Sequence, residues 1–166
     1  MLRVADAASV QGVDITNLPI SSEDLKAEIQ KCRTQTDFYE VIMRGHENQL
    51  DLVVIDALRA LKDKNPNDAL LLSAYCMALQ TYEHPVAGPH EYDDDLKLAL
   101  KLGPNLWMPL VLQGTSLVWY SDPKKGLDLL QKAVGLASDV SIKHYYLAQG
   151  YMFCVHAKPC PPDSPK

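Results

Sequence analysis

The side chains of this sequence that come nearest to a metal site are Cys154, His156 and Cys160, in a Cys-x-His-x-x-x-Cys arrangement. Thiolate and imidazole groups are preferred ligands of Zn²⁺, but a structural zinc site uses about four of them and usually contains a Cys-x-x-Cys pair. Residues 156–166 also include four prolines, and chain ends of this kind are usually poorly ordered. We therefore expect a Pro-rich tail at 156–166 and no metal site.

Two further groups of polar residues have an ordinary structural explanation. His84 and His90 flank a loop that holds Pro85, Gly88 and Pro89, and a surface loop explains them better than a site does. Three consecutive aspartates at 93–95 would suit a cation, but acids are also favoured at the start of a helix because they complement its dipole. The glycines form no phosphate-binding loop, and neither a nucleophile elbow nor a zinc-protease helix motif is present. The sequence thus predicts no catalytic residues, no cofactor and no enzyme.

The composition is that of one globular domain. The chain has 166 residues, of which 47% are hydrophobic and 22% charged, with a formal net charge of −5. This acidic balance disfavours nucleic acid and anionic membrane surfaces as partners, because no basic excess remains to neutralise phosphates. The first 20 residues lack a secretory signal, and the apolar stretch at 106–120 is too short for a membrane span. The four cysteines are scattered without a disulfide framework, which favours reduced thiols and therefore a cytoplasmic protein.

Helix start signals follow one another along the chain, whereas strand-like alternation is confined to the first twenty residues. Each signal is a capping residue, an acidic first turn or a proline at the first helical position. The starts predicted in this way are Ser21 with Asp24, Thr34 with Asp37, Asn48 with Asp51, Asp68, the aspartates at 93–95, Asn105, and Asp122 with Pro123.

Residues 107–140 form a 34-residue unit in which small and large apolar side chains occupy regular places. Positions 4, 8, 11, 20, 24, 27 and 30 of this unit hold Leu110, Gly114, Leu117, Gly126, Leu130, Ala133 and Leu136. Counting back 34 residues from the last three gives Leu96, Ala99 and Leu102, so the register is kept. Small residues at such places let helices approach closely. The pattern resembles the tetratricopeptide repeat family, whose helix hairpins stack side by side.

The resemblance covers about residues 35–155. With a four-residue insertion at the loop 84–90, the preceding helix places Tyr75 and Cys76 in register. The first repeat fits less well, since Gly45 stands where the family has an aromatic residue. An ordinary helical bundle with chance periodicity is the alternative interpretation.

The resemblance implies an all-α fold, a right-handed superhelix of antiparallel helix hairpins with about seven or eight helices. Residues 1–20 are expected to form an extended or disordered segment, and 21–155 a single helical domain. That domain divides into repeats at about 35–68, 69–106 and 107–140, followed by a capping helix at 141–155.

In this family the first helix of each repeat lines a concave groove, and the resemblance assigns that role to one face of this chain. The residues on it are Tyr39, Met43, Leu70, Ser73, Met77, Met108, Val111, Thr115, Trp119, Tyr145 and Gln149. Methionine and aromatic side chains suit an apolar or amphipathic partner segment. Two alternatives remain: the N-terminal segment of the chain fills the groove, or the helical phase differs and this face is core.

The sequence therefore predicts a non-catalytic module that binds a protein or peptide segment, as a scaffold does. Its size, acidity, leading helix and three repeats are also similar to those of bacterial secretion chaperones. A secretion-type chaperone or assembly adaptor is accordingly the more specific expectation. The alternative function is a structural subunit that self-associates as a homodimer through its apolar face.

Overall fold

The structure is a computed structural model that describes residues 20–83 and 91–137. This part of the chain forms seven α-helices and no strand, which confirms the all-α prediction. The helices are α1 (Ser22–Ile29), α2 (Gln35–Glu47), α3 (Asp51–Lys64), α4 (Ala69–Glu83), α5 (Asp93–Leu102), α6 (Trp107–Tyr120) and α7 (Pro123–Leu136). Among these seven, none combines the length and the apolar character needed to cross a membrane.

Several expected features lie outside the described residues. They are the N-terminal segment up to residue 19, the loop 84–90 with its inserted residues, the capping helix 141–155 and the Pro-rich tail 156–166.

Where a side chain caps a helix, the start lies where the sequence predicts it. The Ser21 hydroxyl accepts a hydrogen bond from the backbone N–H of Asp24 at 3.1 Å. The Asp68 carboxylate accepts from two backbone N–H groups at the start of α4. The Asp122 carboxylate accepts from the N–H three residues further on, with proline at the start of α7. These bonds satisfy donors that the first turn of a helix leaves without intrahelical partners.

Two predicted helix starts are wrong. Helix α3 begins after Leu50 and has no side-chain cap, because Asn48 ends the preceding helix. The Asn48 side-chain amide donates to the carbonyl oxygen of Arg44 at 2.8 Å, so it completes the last turn of α2. Helix α6 begins after Leu106, also without a side-chain cap, so Asn105 lies one residue too early.

The capping box at the start of α2 should contribute measurably to stability. The Thr34 hydroxyl accepts from the Asp37 N–H at 3.2 Å, and the Asp37 carboxylate accepts from the Thr34 and Arg33 N–H groups, each at 2.8 Å. Thr34→Ala is expected to lower the free energy of unfolding by about 1 kcal/mol, measured by urea unfolding at neutral pH. Thr34→Ser keeps the hydroxyl and should stay close to wild type; an equal loss in both variants would contradict this role.

The same box makes stability depend on pH. The backbone donors of Arg33 and Thr34 hold the pKa of the Asp37 carboxyl below its ordinary value. The contribution of the ionised Asp37 carboxylate to the free energy of unfolding is therefore fully present above the unfolded pKa of about 3.9. It is lost as the pH falls through the lower pKa of the folded state. Asp37→Asn should flatten the acid side of the stability curve in that range, and an unchanged acid side would show that another carboxyl is responsible.

The helices pack mainly against their neighbours in chain order. Helix α4 contacts α2, α3, α5 and α6, while α1 packs on α2 and α3, and α7 packs on α6. Every described helix pair in extensive contact is separated by no more than one other helix along the chain. Surrounded in this way, α4 is buried without interruption over residues 71–79.

Glycines set how closely the hairpins approach. A Cβ added to Gly126 of α7 would lie 2.6 Å from the carbonyl oxygen of Gly114 in α6. A Cβ added to Gly45 of α2 would lie 2.4 Å from Cγ2 of Val54 in α3. Gly114 and Gly126 thus have the packing role that the sequence predicts for small residues. Val54 occupies the space that an aromatic residue at position 45 would need, which explains the departure of Gly45 from the repeat pattern.

Candidate functional site

The predicted groove residues fall into three sets. Five of them are buried inside the helix stack: Ser73, Met77, Met108, Val111 and Thr115. Others reach the surface at least in part, and these are Tyr39, Met43, Leu70 and Trp119. Tyr145 and Gln149 lie outside the described residues. The described structure therefore does not bring the set together on one open surface.

The five buried residues lie on α4 and α6, which pack against α2, α3, α5 and α7 as well as against each other, and two contacts also join the starts of α2 and α6. The rings of Tyr39 and Trp107 meet edge to face, with their centroids 5.7 Å apart. The side-chain oxygen of Gln35 accepts from the backbone N–H of Met108 at 2.9 Å. Because α4 also contacts both α2 and α6, the three helices pack around one another. For the five buried residues, this arrangement agrees with the alternative interpretation of the sequence, in which the predicted groove face belongs to the core.

The starts of α2, α4 and α6 lie at one end of the molecule. The Tyr39–Trp107 and Gln35–Met108 contacts join the starts of α2 and α6. A Cβ added to Gly103, just before α6, would lie 3.0 Å from Cβ of Ala69, the first residue of α4. Helices α4 and α6 have 15 and 14 residues and pack together, so both are about 21 Å long or slightly more. Their last turns therefore lie at the opposite end.

Three exposed aromatic side chains occupy these last turns. Tyr82 in α4 is 46% exposed, and Trp119 and Tyr120 in α6 are 42% and 38% exposed. The rings of Trp119 and Tyr120 are tilted by 30° to each other with centroids 6.3 Å apart. We call these three residues the aromatic end surface. Trp and Tyr are over-represented among the residues that dominate binding energy at protein interfaces, so this surface is the candidate functional site.

The sequence prediction found one of these three residues. Trp119 belongs to the predicted groove set, whereas Tyr82 and Tyr120 each stand one position beyond a place that the repeat pattern assigns to the groove. The repeat pattern could not select Tyr82 and Tyr120, because it assigns groove positions by spacing alone and both residues fall outside those positions. The sequence signal that could have indicated Tyr82 and Tyr120 is the presence of bulky aromatic residues near the ends of two predicted helices.

A charged cluster surrounds the buried ring of Tyr75 between α3, α4 and α5. The Lys62 ammonium lies 4.7 Å and the Arg59 guanidinium 5.8 Å from the ring centroid. The Tyr75 hydroxyl accepts from Arg59 Nε at 3.2 Å, and Lys62 Nζ donates to Asp95 Oδ2 at 2.8 Å. Burial alone would lower the pKa of Lys62, but the hydrogen bond and charge of Asp95 raise it overall. Lys62 therefore stays charged and links α3 to α5.

Two cysteine thiols lie within the described residues. Burial raises the pKa of Cys32 to about 11 and also raises that of Cys76, and a neutral thiol is a poor nucleophile and a poor metal ligand. In residues 20–83 and 91–137, no cluster of three His, Cys, Asp or Glu side chains could hold a metal ion. The cysteine–histidine motif of the tail and both loop histidines lie outside these ranges.

Comparison with known proteins found no match to this chain among family models, curated proteins or solved structures.

Proposed function

We propose that this chain is a non-catalytic protein-interaction module that binds an apolar or amphipathic segment of a partner protein. The observation that carries this proposal is the aromatic end surface. Apolar side chains on a protein surface are common singly, but a cluster of large ones is typical of an interaction site. Here two adjacent aromatic residues of α6 lie at the same end of the molecule as Tyr82 of α4.

The scaffold beneath this surface supports the proposal. Helices α4 and α6 contribute many of the most buried side chains of the core, among them Leu72, Cys76, Met108 and Leu112. Aromatic side chains on such helices lose little conformational freedom when a partner binds, because they have few rotatable bonds and a fixed backbone. Binding energy is then available for the contact itself.

The kind of partner follows from the chemistry of the surface. Tyr and Trp combine a large apolar ring with a polar group, so they accept a segment with apolar and polar faces. A chaperone or assembly adaptor that shields such a segment of another protein is the more specific form of the proposal. Self-association through the same surface is the alternative that the test must separate.

Site-specific photo-crosslinking in the protein's native cells tests the proposal. A photoreactive phenylalanine analogue placed at Tyr120 is expected to give a distinct adduct with one other protein. The matched control is the same analogue at Leu102, the last residue of α5. This side chain is 43% exposed and lies at the other end of the molecule, where α4 and α6 begin. Trp119→Ser in the crosslinking protein should reduce the adduct, and circular dichroism of this variant checks that it keeps its helices.

The outcomes separate the alternatives. An adduct of twice the chain mass indicates the homodimer rather than a foreign partner. The same adducts from Tyr120 and Leu102, or none from either, would contradict an interaction site at the aromatic end surface.

A further inference from the structure

A cavity of about 290 Å³ opens at the end of the molecule where α2 and α4 begin. The ends of α1 and α3 and the starts of α2 and α4 enclose it. Apolar side chains form most of its lining: Ile29, Phe38, Leu61, Leu70 and Leu71. Arg33 and Asp68 also line it, and both are exposed. The cavity therefore has an apolar interior and one charge of each sign at its rim.

The apolar interior suits a small ligand. Ile29 is 1% and Phe38 2% exposed, so the deep part of the cavity is fixed by core packing. Its volume lies at the lower limit of small-molecule pockets, which run from about 300 to 1,000 Å³. Water in such a space finds few hydrogen-bond partners on the apolar walls, so an apolar group that replaces it is favoured.

Backbone hydrogen bonds hold both rim charges in place. Arg33 Nη1 donates to the carbonyl oxygens of Gln30 and Cys32 at 2.8 and 2.7 Å. Asp68 Oδ1 accepts from the N–H groups of Leu70 and Leu71 at 2.9 and 3.2 Å. Each of these contacts leaves further donors of the guanidinium, or the second carboxylate oxygen, for another group.

The two rim charges do not neutralise each other. Among the ion pairs within residues 20–83 and 91–137, none includes the Arg33 guanidinium or the Asp68 carboxylate. The neighbouring carboxylate of Asp37 accepts from the backbone N–H of Arg33. A ligand that carries a carboxylate and an ammonium group is thus complementary to this rim.

We infer that the cavity binds a free α-amino acid with an apolar side chain, such as leucine or phenylalanine. The side chain fills the apolar interior, the carboxylate pairs with Arg33, and the ammonium pairs with Asp68. A peptide terminus offers one of these two charges at its last residue, whereas a free amino acid offers both. Charge complementarity therefore favours the free amino acid over a peptide.

Calorimetric titration of the full chain with four compounds tests this inference. L-Leucine and L-phenylalanine are expected to bind. N-acetyl-leucine lacks the ammonium and leucinamide lacks the carboxylate, so each should bind at least about tenfold more weakly than leucine. Equal binding of leucine and both blocked compounds would show that the cavity accepts any apolar group, which would overturn the inference. Tighter binding of one blocked compound would indicate a peptide end, and the absence of leucine binding at millimolar concentration would overturn the inference.

Three variants assign the effect to the cavity. Asp68→Asn removes the charge and keeps the cap of α4, because asparagine caps a helix about as well as aspartate; it should weaken leucine binding but not N-acetyl-leucine binding. Arg33→Gln removes the partner of the carboxylate, so it should weaken leucine binding but not leucinamide binding. Leu70→Trp fills the cavity from a half-buried position and should abolish binding of every compound. Leucine affinity that is unchanged in the two charge variants would overturn the inference.

Two further readouts make the result independent of folding and of the proposed function. Cys32 lines the cavity, so bound leucine should slow the alkylation of its thiol. The assay uses a protein in which Cys154 and Cys160 are replaced by serine. Circular dichroism checks that each variant keeps its helices. The cavity and the aromatic end surface lie at opposite ends. The crosslink from Tyr120 should therefore persist in the Leu70→Trp variant, so that failure of one proposal does not decide the other.

Discussion

Met108→Ala is expected to lower the free energy of unfolding by about 2–5 kcal/mol, which is the range for truncation of a buried methionine. Met108 is 0% exposed and lies in the first turn of α6, where its backbone N–H donates to Gln35. The substitution keeps that hydrogen bond and removes only the side chain beyond Cβ. The loss therefore measures core packing, by chemical denaturation with circular dichroism.

Met43→Ala is the matched control for this prediction. Met43 belongs to the same predicted groove set, carries the same side chain and is half-buried on α2. Its truncation removes the same atoms from a wetter environment, so the loss should be clearly smaller. Equal small losses in the two variants would mean that Met108 is accessible, as the groove interpretation predicts.

Gly126→Ala is expected to destabilise the protein by about 1–3 kcal/mol or more through overpacking. The new Cβ would lie 2.6 Å from the carbonyl oxygen of Gly114 and 2.6 Å from the backbone nitrogen of Val118. These are backbone atoms of α6 and cannot rotate away as a side chain can, so α6 and α7 must separate. The free energy of unfolding from a denaturant series measures the cost.

Gly135→Ala is the matched control within the same helix. Within residues 20–83 and 91–137, a Cβ at Gly135 meets no atom within 4 Å, so we expect the substitution to replace a poor helix former by a good one without a clash. It should leave stability unchanged or raise it by up to about 1 kcal/mol. A stabilising effect at both glycines would show that α6 and α7 are farther apart than the Gly114–Gly126 contact requires.

These two predictions bear on where a partner binds. If Met108 is core, a partner cannot reach the middle of the predicted groove without separating α2 from α6, because the Tyr39–Trp107 and Gln35–Met108 contacts hold those helices together. The ends of the helices remain accessible, and they include the aromatic end surface. The interaction proposal then rests on the tips of α4 and α6 and not on their shared face.

The sequence by itself determined the features that depend on a few consecutive residues. The capping box at Thr34, the start of α7 at Pro123 and the end of α5 before Gly103 all lie where the local pattern places them. Each depends on hydrogen bonds and backbone preferences within one turn, which need no knowledge of the rest of the chain. Asn48 shows the limit of such reasoning, since an asparagine between two helices can end one or begin the next.

Only the tertiary structure decided which apolar residues are interior and which face outward. Met108 and Trp119 lie on one helix and in one predicted set, yet the first is 0% and the second 42% exposed. The difference arises because α2 reaches α6 at its start, where Tyr39 packs on Trp107. Periodicity determines which residues share a face of a helix, but burial depends on which distant helix covers each part of that face. That coverage is a property of packing among residues far apart in the chain, and no local pattern contains it.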